Sequence, residues 1–198
     1  MTPVAVQERL LARPALLVPV GTTEQHGPHL PLGCDTIIVE RLADDLSAAF
    51  GVPRTPAVEY GVQAPTHPFP GGAALRRKTL HRVMNELIES WEDGAGVREF
   101  VILTAQAADP HLEALSTIRT AGAQTMVVDV FGLDFGALLE TPGPAVQGGE
   151  LDTSLLLHIA PHLVHVELAR GPLPASAHKG ERLYRFILDR VSRCLAPT

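Results

Sequence analysis

Cysteine is scarce. Among 198 residues only Cys34 and Cys194 occur, 160 positions apart, which offers neither a disulfide framework nor a zinc-finger spacing. Long apolar runs are missing too, and none approaches the ~18 residues needed to cross a bilayer. Residues 1–14 mix Glu8, Arg9 and Arg13 with short apolar runs, so they lack the basic start, apolar middle and small-residue cleavage site of a signal peptide. A soluble, cytoplasmic protein is expected, with no membrane partner. Positive charge is not in excess: 16 Lys and Arg stand against 22 Asp and Glu, a net charge of −6. Nucleic acid is thereby excluded as a partner, because affinity for its phosphates comes mainly from clustered Lys and Arg. Glycine and proline number 17 each, about 17% of the chain, below the ~25–30% of low-complexity sequence. No internal repeat, linker or charge run divides the chain.

What is present fits one globular domain over residues 1–198. A chain of this length can bury roughly 70% of the surface it exposes when unfolded, so it needs no staple to fold. Short apolar runs alternate with amphipathic stretches, the pattern of an α/β fold around a mainly parallel sheet. Strands are expected at residues 15–21 (ALLVPVG), 56–60, 100–104 (FVILT) and 124–130 (QTMVVDV). Helices are expected at 36–50 with Asp35 as cap, around Leu80–Trp91 and stopped by Gly94, at 111–121, at 150–159 and at 179–195. In the last, Leu183, Phe186, Ile187, Val191 and Cys194 form the apolar face.

The loop after the first strand carries the chemistry. In GTTEQHGPHLPLGCD, residues 21–35, Glu24, His26, His29 and Asp35 fall within twelve positions at the carboxyl end of a strand, where open parallel sheets place ligand sites. Mixed imidazole and carboxylate suit zinc, manganese or iron, which accept nitrogen and oxygen donors alike. For Asp35 taken alone, a helix cap serves as well as a metal ligand; the cluster as a whole is what points to metal.

The run VPVGTTEQHGPHLPLGCDT resembles the signature of the creatininase family, metal-dependent amidohydrolases that open cyclic amides or trim peptide bonds. EYGVQAPTHPFPGG (59–72) is similar to that family's tyrosine–glycine segment with its downstream histidine, here His67, and GGELDTSLLLHIAP (148–161) to its HAGE-x-ETS helix start. SLLLHIAP looks most like the branch that processes the mycofactocin precursor peptide. The resemblance implies a three-layer α/β/α creatininase-like fold and a small-molecule amide or peptide as substrate. It also implies a divalent cofactor, zinc or manganese, as one or two ions. Asp35 would be shared between ions, Glu24 and His26 would go to different ones, His67 would lie beside the substrate, and Glu150 would serve as acid/base or further ligand. Two such ions, ~3.5–4 Å apart, would hold a bridging hydroxide and polarise the substrate carbonyl. Family members commonly form hexamers, which implies a homo-oligomer or a hetero-oligomer with an active paralogue.

The sequence departs from that pattern at two histidines. Where the family has Asn-Gly-His after the FVIL strand, this chain has TAQAADPH, placing Gln106 at the histidine and Asp109 at the following asparagine. Glutamine is a weak neutral oxygen donor with no imidazole nitrogen. Gln147 replaces the histidine of HAGE and cannot act as general acid or base; Asp152 replaces the glutamate of ETS. The segment 170–178 before the last helix is also short. His111 is expected as an exposed first-turn histidine, with a replacement ligand as the alternative if the loop is rebuilt, and Cys34 as a small buried hydrophobe. Two readings follow: a metal-dependent amidohydrolase, or a catalytically weakened or inactive paralogue that binds a ligand or completes an oligomer.

Overall fold

The computed structural model describes residues 1–63, 71–143 and 145–196. Its elements run α1 (Pro3–Ala12), β1 (Ala15–Val20), α2 (Cys34–Phe50), α3 (Arg77–Ala95), β2 (Glu99–Thr104), α4 (Asp109–Ser116), β3 (Gln124–Asp129), α5 (Glu150–Ile159) and α6 (Ala177–Leu195). The three strands form one parallel sheet in the order β1-β2-β3, with Val20 opposite Thr104 and Thr104 opposite Asp129. All three therefore end at one edge.

Every residue of β1 is buried, which fits an apolar run covered on both faces. Its alternate residues feed two cores. Ala15 and Leu17, with Val101 and Leu103 of β2, pack against α2, α5 and α6. Leu16, Val18 and Val20, with Phe100 and Ile102, pack against α1, α3 and α4. This is the expected three-layer α/β/α arrangement. Among the described residues, no helix is long and apolar enough to cross a membrane.

Five expectations shift. The helix expected at 111–121 is α4, which starts at Asp109 and ends at Ser116. The strand expected at 56–60 is reduced to one parallel bridge, Val20 with Val58, a second joining Leu17 to Arg54 just before it, and Pro53 and Pro56 bring no amide hydrogen to a ladder. The N-terminal residues form α1, started by Thr2, whose hydroxyl accepts the Ala5 N–H. Helix α3 runs past Gly94 to end at Gly96 in the left-handed region. On α6 the buried stripe is Leu183, Tyr184, Ile187, Val191 and Leu195, while Cys194 is exposed.

Candidate metal centre

At Gly21 the chain leaves β1 in contact with the start of α2: a Cβ there would lie 2.6 Å from the Thr36 backbone nitrogen. Thr36 Oγ1 donates to the Thr22 carbonyl at 3.2 Å, and Thr22 Oγ1 donates to Asp35 Oδ2 at 2.5 Å. These bonds fix the first turn of α2 against the strand end. Asp35 is not the helix cap that its position suggested: α2 begins one residue earlier, at Cys34, and Gly33 stands at the cap. The carboxylate instead turns into the sheet edge, 1% exposed.

A cavity of about 340 Å³ opens there, lined by Glu24, His26, Asp35, Gln106, Gln147 and Asp152, with Phe131, Val146 and four alanines as its apolar wall. His26 Nε2 lies 3.0 Å from Asp35 Oδ1, both side chains almost fully buried. His26 Nδ1 lies 3.3 Å from the Glu24 carbonyl, a contact that puts a ring hydrogen on Nδ1 and leaves Nε2 as the nitrogen that faces Asp35 with a proton or a cation. The ligand atoms of His26, Cys34 and Asp35 fall within 4.8 Å of one another; Glu24 and Asp152 line the same cavity but lie outside this tight group. Its Oε1 accepts the Gln106 Nε2–H. Asp152 reaches the cavity from α5, its Oδ2 accepting the Gly148 N–H at 2.5 Å. Gly148 has φ +68°, and a Cβ on it would sit 2.4 Å from the His26 carbonyl oxygen, so glycine there lets the start of α5 close onto the His26 loop.

The charges in this space press on one another. Burial and the Asp35 carboxylate push Glu24 up to about 7, against the pull of His26 and Gln106. Burial alone would lower His26, but Asp35, with Asp152 and Glu24 adding to it, brings the imidazole up to about 9. Asp152 rises to about 6 through burial, His26 opposing and Asp35 reinforcing. Cys34, fully buried in the apolar core as expected, is pushed up by burial and by the three carboxylates. Asp35 Oδ1 is buried with the His26 ring 3.0 Å away as its partner and no further hydrogen bond. A buried carboxylate is costly unless it is paired. A divalent cation facing His26 Nε2 and Asp35 Oδ1 would complete both, so the donor set fits such an ion.

Glu24, His26 and Asp35 thus share one cavity, but Glu150 does not join them. Its carboxylate accepts the backbone N–H groups of Glu140 and Thr141, at 2.7 to 3.1 Å, and pairs with Lys179 Nζ. The residue that points into the site from the same helix is Asp152. Positions two apart on a helix face nearly opposite ways, so the two acids at the start of α5 divide between structure and site. Asp152 was visible in sequence only as the substituted glutamate of ETS. His29 lies behind the site with Nε2 2.9 Å from Thr153 Oγ1. His111 is buried rather than exposed: Nδ1 accepts the Val62 N–H at 3.1 Å and Nε2 lies 3.0 Å from Thr104 Oγ1. Burial lowers it to about 4. Gln147 Nε2 donates to the Gln25 carbonyl at 2.9 Å. His67 lies outside the described residues.

The family model described as creatinine amidohydrolase matches residues 1–192. A mycofactocin precursor peptide peptidase of Mycolicibacterium smegmatis is 33% identical over 155 residues, covering 75% of this chain and 59% of the relative. A 3-dehydro-scyllo-inosose hydrolase of Thermotoga maritima is 26% identical over 185 residues, 85% of this chain and 58% of that protein. The chain therefore spans about three fifths of the length of these relatives. Among solved structures, a creatinine amidohydrolase superposes with a TM-score of 0.81 at 22% identity, over 100% of this chain and 97% of the other. A manganese creatininase superposes with a TM-score of 0.80 at 19% identity, over 98% and 95%. With a matching sequence model along nearly its whole length and the same fold, the chain belongs to the creatininase family.

Proposed function

We propose that this protein is a metal-dependent hydrolase of a C–N amide bond in a small cyclic amide or a short peptide. The observation that carries the reading is the buried pair His26 Nε2 and Asp35 Oδ1, which lie 3.0 Å apart in the cavity lining with no other hydrogen-bond partner at Asp35 Oδ1. His26, Asp35 and Asp152 would hold a zinc or manganese ion. When bound, such an ion lowers the pKa of water and polarises a carbonyl oxygen. The chain supplies the rest. The Glu24 carbonyl sets the His26 tautomer, Thr22 orients Asp35, and the Gly148 N–H orients Asp152. Phe131, Val146 and the alanines form an apolar wall that limits water beside the reacting amide. Lys179 and two backbone amides occupy Glu150, so we assign it to holding the loop at 140–141 and not to proton transfer.

One arrangement favours the second reading, a weakened or inactive paralogue that binds a ligand or completes an oligomer. Gln147 stands where the family's proton-carrying histidine is expected, and its amide is tied to the Gln25 carbonyl. The deciding experiment measures metal content of the purified chain, then hydrolysis of creatinine and of short peptides before and after chelation. Bound zinc or manganese together with chelator-sensitive amide cleavage supports the hydrolase. Bound metal without cleavage of any substrate favours the paralogue; absence of metal binding removes both the ion and the hydrolase.

A further inference from the structure

The loop 105–108 offers a carboxylate neighbour that cannot act as a cation ligand. Gln106 Oε1 accepts the Ala108 N–H at 3.0 Å, and the backbone N–H of Gln106 donates to Thr104 Oγ1 at 3.3 Å. A backbone N–H can only donate, so it fixes which end of the amide faces which way. The NH2 end must point toward Glu24, where it donates to Oε1. An amide NH2 has no lone pair to give a metal. A cation beside Glu24 would therefore meet the positive end of an N–H dipole. Turning the amide over would set NH2 against the Ala108 N–H and lose both bonds, one of them to a carboxylate. Replacement donors are wanting on this side among the described residues. Ala105, Ala107 and Ala108 carry none, and both ring nitrogens of His111 already have partners in Val62 and Thr104.

The other side of the cavity differs. His26 Nδ1 faces the Glu24 carbonyl and holds one ring hydrogen, so Nε2 is the atom that can exchange its proton for a cation, and Asp35 Oδ1, 3.0 Å away, has no other hydrogen-bond partner. Asp152 accepts the Gly148 N–H with Oδ2, which leaves Oδ1 for a cation. From this asymmetry we infer that the chain holds one divalent ion, on the His26–Asp35–Asp152 side, and that the Gln106 amide stands in place of a second beside Glu24. This rests on the metal-dependent reading above and narrows it from one or two ions to one.

The test strips the whole chain with a chelator and titrates it with Mn²⁺, counting ions by calorimetry and recording the electron paramagnetic resonance spectrum. One ion per chain is expected, with the six-line spectrum of isolated Mn²⁺. Gln106→His puts an imidazole nitrogen where the amide NH2 was, so this variant is expected to take up two ions and to show the altered spectrum of a coupled pair. Glu24→Gln is expected to keep one ion, because Glu24 is not among its ligands. Two coupled ions in the unaltered chain would overturn the inference and leave the metal-dependent reading standing. One ion in both the unaltered chain and Gln106→His would overturn the role given to Gln106, and loss of the ion in Glu24→Gln would overturn its position. Should Gln106→His fail to fold, the unaltered spectrum and Glu24→Gln decide the matter. No binding at all would remove the metal-dependent reading itself.

Discussion

Glu150 and Lys179 form a buried ion pair that joins the first residue of α5 to the first turn of α6, and the same ammonium reaches Glu140 at 2.7 Å and the Pro174 carbonyl. With two backbone N–H groups also on Glu150, these contacts fasten the loop at 140–141 and the short crossing before α6 to one point. Burial would raise the Glu150 carboxyl, but Lys179 and those donors bring it down to about 2. Such a lowered carboxyl stabilises the fold fully above its unfolded value near 4.5, and that contribution is lost as pH falls through 2. Glu150→Gln keeps the shape and removes the charge. It is expected to lower unfolding free energy by about 2 kcal/mol at pH 7, the order of a charge-assisted hydrogen bond, with most of the difference gone at pH 2. Metal affinity should stay unchanged. Denaturant titration at both pH values and calorimetry check this; an Mn²⁺ affinity that fell with the charge would return Glu150 to the site.

Stability of the metal-free chain is expected to fall as pH rises from 7 to 9. His26 is held up at about 9 from an ordinary 6.5, so its stabilising effect is complete below 6.5 and is lost as pH climbs through 9. Glu24, raised from 4.5 to about 7, acts in the same direction but mainly below pH 7, where the folded state keeps a proton that the unfolded chain has already released. His111, lowered to about 4, works the opposite way, but only below 6.5. At about 2–4 °C per kcal/mol for a chain of this size, the fall in Tm should amount to several degrees. Saturating Zn²⁺ or Mn²⁺ should flatten or reverse the slope, because the ion competes with protons for the same atoms. Melting curves at pH 7, 8 and 9 with chelator or with metal provide the measurement; a Tm that climbs with pH in chelator would contradict the charge arrangement.

The layers and the gathering of Glu24, His26 and Asp35 at one strand end were legible because they follow from local patterns. ALLVPV and FVILT read as strands buried on both faces, and GTTEQHGPHLPLGCD carries those three candidate ligands into one cavity. What could not be read was which way each acid turns. Glu150 occupies the glutamate position of the motif, yet its partner Lys179 is 29 residues away and becomes a neighbour only once α5 and α6 pack. His111 looked exposed because a first-turn histidine usually is; its burial depends on the Val62 amide, 49 positions earlier. Likewise Cys194 continued a helical stripe on paper, but the actual face rotates toward Leu195 and Tyr184. Each miss is a choice between side-chain directions that depends on a residue distant in sequence.

Gly21→Ala should damage fold and site together. The added Cβ would meet the Thr36 nitrogen at 2.6 Å and its Cα at 2.5 Å, both backbone atoms, so α2 itself must move. Overpacking of this kind costs about 1–3 kcal/mol. Because Asp35 precedes Thr36, the shift carries its carboxylate away from Thr22 and His26. A lowered Tm accompanied by weaker Mn²⁺ binding is expected, read by melting and calorimetry on the same sample. Weaker folding with unchanged affinity would show that α2 yields without moving Asp35.

Asp152→Asn separates the charge of Asp152 from its shape. The asparagine carbonyl oxygen can still accept the Gly148 N–H, so the start of α5 should keep its packing on the His26 loop. What disappears is one of three acids crowded with His26 into the same cavity, where burial raises both Glu24 and Asp152 and the Asp35 carboxylate adds to each. The metal-free variant is therefore expected to be at least as stable as the unaltered chain at pH 8, where Asp152, raised to about 6, is ionised. Its affinity for Mn²⁺ should drop by more than the ~10–100-fold seen when only a group behind a ligand is changed. The two readouts move in opposite directions, which distinguishes a ligand from a structural acid: loss of a structural carboxylate would lower Tm and leave the ion in place. Melting in chelator and Mn²⁺ titration measure the pair, and a stable variant with undiminished affinity would leave only His26 and Asp35 facing the ion.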